Sequence, residues 1–317
     1  MVALPLEDPE LVAEVAFALL RVVEFALVEV PNTEQARWVI DPFAFLQRAL
    51  RLPEIPIPDV TTENGRRLFF SHIDGDGFAS LAELPGSPPA AEVLLREILE
   101  KYRTPTTMSV IEAEVAPHGL YPQLSPRLEA IARQTFRLPH VEIASHTYAH
   151  PFIWDPDLWA GKAGETKNKN IAEGNYHLNV PGYRFDLTRE IVGSTNYIRD
   201  RLAPPDKPVR ILLWSGDTAP GAAALRIAEQ AGLLNMNGGD TAITHDYPSL
   251  AAVGAHGIEK EGFLQIYAPI TNENIYTNLW RGPYYGYERV IESFEMTESP
   301  RRLKPVDIYY HAYSASK

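Results

Sequence analysis

Two short segments carry side chains whose types and spacing could do chemistry. The first, Ser71-His72-Ile73-Asp74-Gly75-Asp76-Gly77, sets two carboxylates two residues apart among glycines. Glycine lets the backbone turn tightly, so Asp74 and Asp76 can face one mouth; Asp-Gly is equally ordinary turn chemistry. The second, Ser145-His146-Thr147-Tyr148-Ala149-His150, places two histidines four residues apart. Both imidazoles can then reach one metal ion, and two histidines with one carboxylate leave a zinc position open for water. A hydrogen-bonded core histidine is the plainer reading of either one. A third signal is His311, in the run Ile308-Tyr309-Tyr310-His311-Ala312-Tyr313. A lone histidine at a strand end is more often structural, but a shared mouth would give it a role. Together the three segments have the layout of a metal-assisted hydrolase.

That layout requires elements that bring the segments to one place. Seven apolar, β-rich runs stand out, at 66–74, 106–115, 140–148, 209–216, 233–239, 263–270 and 305–313. They are too continuously apolar for half-solvated strands, as expected of a parallel sheet covered on both faces. Between them, 90–102, 126–135, 187–202 and 220–232 read as helices, the last with Pro220 at its start and Gly232 at its end. Strands alternating with helices predict an α/β fold, with a (β/α) barrel as the leading architecture. All three chemical segments then lie at C-terminal strand ends, where such barrels keep their active sites. Residues 1–64 do not share this rhythm and end in a Pro-rich connector; they are expected to form a small α/β preface to a barrel over 65–317. The polar, Gly/Asn-rich stretch 160–183 is either a functional loop or a surface insertion.

Composition narrows the function further. Across 317 residues, 29 Lys and Arg stand against 41 Asp and Glu, a net charge of −12. A nucleic-acid partner is not expected, because neutralising phosphates takes an excess of cationic side chains. The absence of cysteine excludes disulfides, Cys-ligated zinc and thiol nucleophiles. The apolar stretch 11–30 contains Glu14, Arg21, Glu24 and Glu29, so a membrane span is not expected, and no signal-peptide pattern precedes it. Tyr148, Trp214, Trp280 and Tyr284 are aromatic candidates for ligand contact near the mouth; packing at a barrel rim is the alternative.

The ordered set of motifs resembles the NodB-type polysaccharide deacetylases. The segment HIDGDG is similar to their first motif and SHTYAH to their second. The helix LTREIVGSTNYIRDRL follows, WSGDTAPGAAALRIAEQAGL occupies the third-motif position, and DIYYHAY fits the last. The resemblance covers about residues 66–317 and is strongest, through TTENGRRLFFSHIDGDGF, to the deacetylase domains of Pel exopolysaccharide modification proteins. It implies a distorted (β/α)7 barrel. It also implies Asp76, His146 and His150 as ligands of a divalent metal, zinc by default with cobalt or nickel as alternatives. Asp74 would be the general base and His311 the general acid in removing N-acetyl groups from an amino-sugar polymer during biofilm matrix production. An exported, periplasmic location and an export-complex partner are further implications. Two departures stand out: the fourth motif, which gives Asp and Trp in the family, reads LNMNGGD and offers only Asp240, and the third-motif position reads LLWSGD, without the arginine that orients the base in the family. Arg184, Arg189 and Arg281 are candidates to replace it. Two rival readings remain, a sugar-binding relic of the same fold and a glycoside hydrolase using Asp74 and Asp76. The second needs carboxylates about 5–9 Å apart and leaves the histidine pair idle.

Overall fold

The computed structural model describes residues 27–30, 35–38, 40–53, 61–154, 177–267 and 270–317, the backbone alone for 27–30, 35–37 and Tyr284. Near the N-terminus, strands β1 (Leu27–Val30) and β2 (Gln35–Trp38) form an antiparallel pair. A helix, Pro42–Ala49, follows. It starts where it does because Asp41 accepts from the backbone N–H of Phe43 and Ala44 and Pro42 occupies the first turn. The Trp38 N–H donates to Ser249 Oγ at 3.0 Å, tying this segment to the main body. A two-stranded ladder, β3 (Thr62–Glu63) with β4 (Arg66–Arg67), leads into the principal sheet.

That sheet contains β5 (Phe69–Asp74), β6 (Thr106–Val110), β7 (Val141–Ser145), β8 (Ile211–Leu213), β9 (Leu234–Met236), β10 (Gly257–Lys260), β11 (Phe263–Ile266) and β12 (Val306–His311). The spatial order is β10-β11-β9-β8-β7-β6-β5-β12, and every neighbouring pair except β10–β11 is parallel. Each of the seven apolar runs supplies one of the seven parallel strands. The ring is drawn together beyond β11, where Asn272 forms a parallel bridge to Tyr309 of β12 and Ile270 packs on Tyr309 and Met236. The result is the distorted (β/α)7 barrel anticipated from the sequence. The additional edge strand β10 was not anticipated. It returns through Glu261-Gly262, both at positive φ (52° and 85°), the backbone that a two-residue hairpin turn requires.

The helices also fall where expected. The run 90–102 forms Ala90–Val93, continued by Leu94–Leu99 with wider turns, and the run 126–135 forms Ser125–Arg137. The run 187–202 forms a continuous helical stretch from Arg189 to Leu202, and the fourth forms Ala222–Gln230. Alternation along each strand divides the side chains. The outward set, Ile73, Met108, Val110, Val141 and Ile143, meets Leu94, Leu95, Leu99, Leu128, Ile131 and Phe136 of the helices in the main core. Burial of each such side chain contributes about 1.5–3 kcal/mol, which fixes the strand register. The inward set on β5 and β12 is polar: His72 and Asp74 beside Asp307, Tyr309 and His311, with Tyr309 opposite His72 and His311 opposite Asp74 in the ladder. Among the described residues, no helix is long and apolar enough to cross a membrane.

Candidate metal centre and active site

The loop after β5 delivers the first donors. Gly75 passes so close to β6 that a Cβ there would lie 2.7 Å from Val110 Cα, and Gly77 sits at φ +70°. Both positions therefore need glycine. Glu114 holds the far side of this loop, accepting from the N–H of Gly77 at 3.2 Å and of Ala79 at 3.4 Å. Burial, reinforced by the charge of Asp76, pushes Glu114 up to about 7.

The turn after β7 delivers the histidines at some conformational cost. Thr147 and His150 both have positive φ, 70° and 50°, which disfavours side chains with a Cβ. Local hydrogen bonds offset this. Ser145 Oγ accepts from Thr147 N–H, and Thr147 Oγ1 accepts from His150 N–H. The buried Glu190 carboxylate accepts from the N–H of both Tyr148 and Ala149 at 2.9 Å. His146 Nδ1 donates to the Leu213 carbonyl at 2.9 Å, which leaves Nε2 as the nitrogen that could hold a metal.

Asp76 meets both rings: Oδ1 lies 2.8 Å from His150 Nε2, and Oδ2 lies 3.0 Å from His146 Nε2. Burial alone would raise the Asp76 carboxyl, but His150 and His146 hold it well below the usual carboxylate range. Burial opposes charge on His146, and Asp74 and Asp76 outweigh it, so its pKa is raised. One ligand atom from each of Asp76, His146 and His150 lies within 4.8 Å of the others. Donors around a tetrahedral zinc, each about 2.0–2.2 Å from the ion, lie at comparable mutual separations. Asp76 Oδ2 is buried without a well-aligned hydrogen-bond partner. The donor set therefore fits a divalent cation.

Asp74, 2% exposed, stands beside this triangle, with Oδ2 3.7 Å from His146 Nε2. Its Oδ2 accepts from Asn237 Nδ2 at 2.9 Å and from the Tyr309 hydroxyl at 2.8 Å, while Oδ1 is buried and unpartnered. His311 Nε2 lies 3.1 Å from the same hydroxyl, and its Nδ1 lies 2.7 Å from Glu273 Oε1. Burial opposes charge on this imidazole, but Glu273 dominates and raises it to about 9. Asp74, Asp76, His146, His150, Asp240 and His311 all line one cavity of about 640 Å³.

The proposed aromatic contacts divide differently. Trp214 is fully buried, because it shares its strand face with Leu212 and packs outward on Leu225 and Trp154. Its Nε1 donates to Asn235 Oδ1; Trp214 is among the residues that line the cavity, but its side chain is not exposed there. Tyr148 is also buried, beneath the Arg189 guanidinium 3.7 Å from its ring centre. Trp280 lies outside the cavity lining, where Leu279 takes its place, and the Tyr284 side chain is not among those described. Arg184, Arg189 and Arg281 do not line the cavity either. Arg189 is engaged by Glu112 through two hydrogen bonds of 2.6 and 2.7 Å. Residues 155–176, most of the irregular stretch, lie outside the described residues.

Sequence reasoning missed Glu273, Asn237, Tyr309, Glu114 and Glu190. Period-two alternation could have found Tyr309, which shares a strand face with His311. Glu273 follows Asn272, the cap of a short helix, and only tertiary structure brings it to His311.

No protein-family model matches the chain, and no curated protein matches it in sequence. Among solved structures it is similar to the 4-alpha-glucanotransferase from Thermococcus litoralis, with TM-score 0.42, 11% identity and coverage of 78% of this chain and 33% of that one. This chain thus spans about a third of that enzyme. It is also similar to BA3943, a CE4 family pseudoenzyme from Bacillus anthracis, with TM-score 0.40, 10% identity and coverage of 93% and 84%. A third likeness is to the BpsB deacetylase domain from Bordetella bronchiseptica, with TM-score 0.34, 16% identity and coverage of 76% and 88%. At such identities the chemistry has to be read from the side chains themselves.

Proposed function

We propose that the protein is a metal-dependent hydrolase that removes N-acetyl groups from an amino-sugar polysaccharide. One observation carries this reading: Asp74 presents an unpartnered carboxylate oxygen beside the Asp76–His146–His150 donor set, with His311 in the same cavity. A divalent ion there, zinc by default with cobalt or nickel as alternatives, would supply Lewis acidity that polarises an acetyl carbonyl and acidifies water.

The remaining chemistry belongs to the chain. Asn237 and Tyr309 hold Asp74 Oδ2, so Oδ1 is the atom that takes the proton from the attacking water. An amide nitrogen must be protonated as it leaves, because the free amide anion is too basic to depart. His311 provides that proton from Nε2, and Glu273 at Nδ1 keeps the ring charged until then. Among the described residues no Lys or Arg lines the cavity, while Asp217 and Asp240 do. A neutral N-acetylated sugar can enter, and its cationic amine product is not repelled. A Pel-like polymer of N-acetylgalactosamine or N-acetylglucosamine, periplasmic location, an export-complex partner and a biofilm role belong to the same proposal.

Mass spectrometry of an N-acetylated hexosamine oligomer incubated with metal-loaded protein tests the reading. Loss of acetyl groups at constant chain length supports it. Shortened chains would make the protein a glycosidase, although the histidine contacts of Asp76 already occupy one of the two carboxylates. An oligomer that binds unchanged would leave a sugar-binding relic.

A further inference from the structure

Asp74 lacks the arginine partner that the family resemblance leads one to expect. Its Oδ2 accepts from Asn237 Nδ2, and the same nitrogen donates to the Trp214 carbonyl at 3.0 Å. Both amide hydrogens thus point at acceptors. Turning the amide over would set its oxygen against a carboxylate and a carbonyl, so the orientation is fixed. Asn237 Oδ1 then faces His72 Nε2, 3.0 Å away, as an acceptor. On the far side of the ring, His72 Nδ1 lies 3.2 Å from Asp307 Oδ1. An imidazole with an acceptor at each nitrogen satisfies both only when each nitrogen carries a proton. His72 is 1% exposed, and Asn237 and Asp307 are wholly buried. Polar groups so placed are costly unless they are paired; both ring nitrogens of His72 and both amide hydrogens of Asn237 meet acceptors, and Asp307 Oδ2, without a hydrogen bond of its own, lies 3.1 Å from His72 Nδ1.

We propose that Asp307, His72 and Asn237 form a buried relay that holds Asp74 in its working orientation, with His72 carrying both ring protons. The inference rests on the reading of Asp74 as the base. No proton crosses the amide: His72 and Asp307 are positioning residues that act through Asn237. The imidazolium places a positive charge behind Asp74, where an arginine would bring one, and keeps that cation out of the cavity. Engaging Oδ2 from behind leaves Oδ1 for water. The charged and titratable groups facing His72 are Asp307 and the stacked Tyr309 on β12, with ring centres 4.5 Å apart, and Asp74 on its own strand. Lys304 lies within the field of Asp307. Burial opposes charge on His72, and Asp307 with Asp74 outweighs it, raising its pKa.

The test uses the metal-loaded protein and two readouts. Nitrogen-15 NMR of His72 at neutral pH should show both ring nitrogens protonated in the wild type, and a single protonated nitrogen in Asp307→Asn. Steady-state acetate release should show kcat lowered about 10–100-fold in Asn237→Asp, which swaps the donor for an acceptor. His72→Gln keeps a donor without the charge and should lose less. KM and bound metal per chain should match wild type in both variants. Loss of metal or a raised KM with kcat preserved would make the row merely structural and overturn the proposal. So would a wild-type His72 with one protonated nitrogen. If the wild type releases no acetate, the deacetylase reading fails separately, and the NMR result alone retains or removes the relay.

Discussion

Asp74 and His311 lie in one cavity, and their neighbours suit them to the opposite tasks of the proposed reaction. Asp74 is gripped on one oxygen by neutral donors and left open on the other. Asp74→Asn removes the proton acceptor while preserving shape, so acetate release should fall about 10²–10⁴-fold with metal content unchanged. His311 is instead held charged by Glu273 up to a pKa of about 9. A general acid must be protonated, so activity should be flat through neutral pH and decline as pH rises through about 9. Glu273→Gln removes the partner that raises the pKa, and the alkaline limb should move toward lower pH. A pH–kcat profile of the two proteins checks this; an unmoved limb would detach Glu273 from His311's titration. Asp74, Asp76, His146, His150 and His311 could be singled out from the sequence because their residue types recur at strand ends in an ordered set of motifs, and the structure places them around one cavity. Asn237 and Glu273 could not, because each meets its partner only through contacts between segments distant in sequence.

At the level of elements, the barrel was legible because its seven parallel strands read as apolar runs, although only the central ones, β6 to β8, are buried along nearly their whole length. The hairpin strand β10 was not, since Gly257-Ile258-Glu259-Lys260 is half polar and lies at an edge. Trp214 shows the limit of reading a strand end without its parity. A one-residue difference in facing packs its side chain among Leu212 and Leu225, although Trp214 borders the cavity. The two turns that carry the proposed ligands share a device, a buried carboxyl group accepting two backbone N–H groups: Glu114 for the turn after β5 and Glu190 for the turn after β7. The second restrains Thr147 and His150 at positive φ. Glu190→Ala should therefore weaken metal affinity about 10–100-fold, measured by competition with a chelator, although Glu190 offers no ligand itself. Unchanged affinity would mean that the turn holds its shape through Ser145 and Thr147 alone.

For the whole molecule, stability should follow pH through a group remote from the metal ligands. Lys304 is 1% exposed and donates to the Ala255 carbonyl, and burial, against the pull of Asp307, lowers it to about 8. Its charged form is the costly one in the folded state. Below about 8 both folded and unfolded chains hold the proton and the full penalty applies. Between about 8 and the ordinary 10.5, the unfolded chain holds more protons, so this group makes stability rise with pH. Lys304→Met should flatten that rise in thermal midpoints measured across the interval; an identical slope would remove Lys304 as its source. The central claim for the molecule is that metal binding and hydrolysis belong to one site. It is tested most directly by acetate release from an N-acetylated hexosamine oligomer, measured side by side for chelated protein, zinc-restored protein and zinc-loaded Asp74→Asn. Release that appears only in the zinc-restored wild type is the predicted result. Equal release from chelated protein, or no release from zinc-loaded protein that still binds the oligomer, would contradict it.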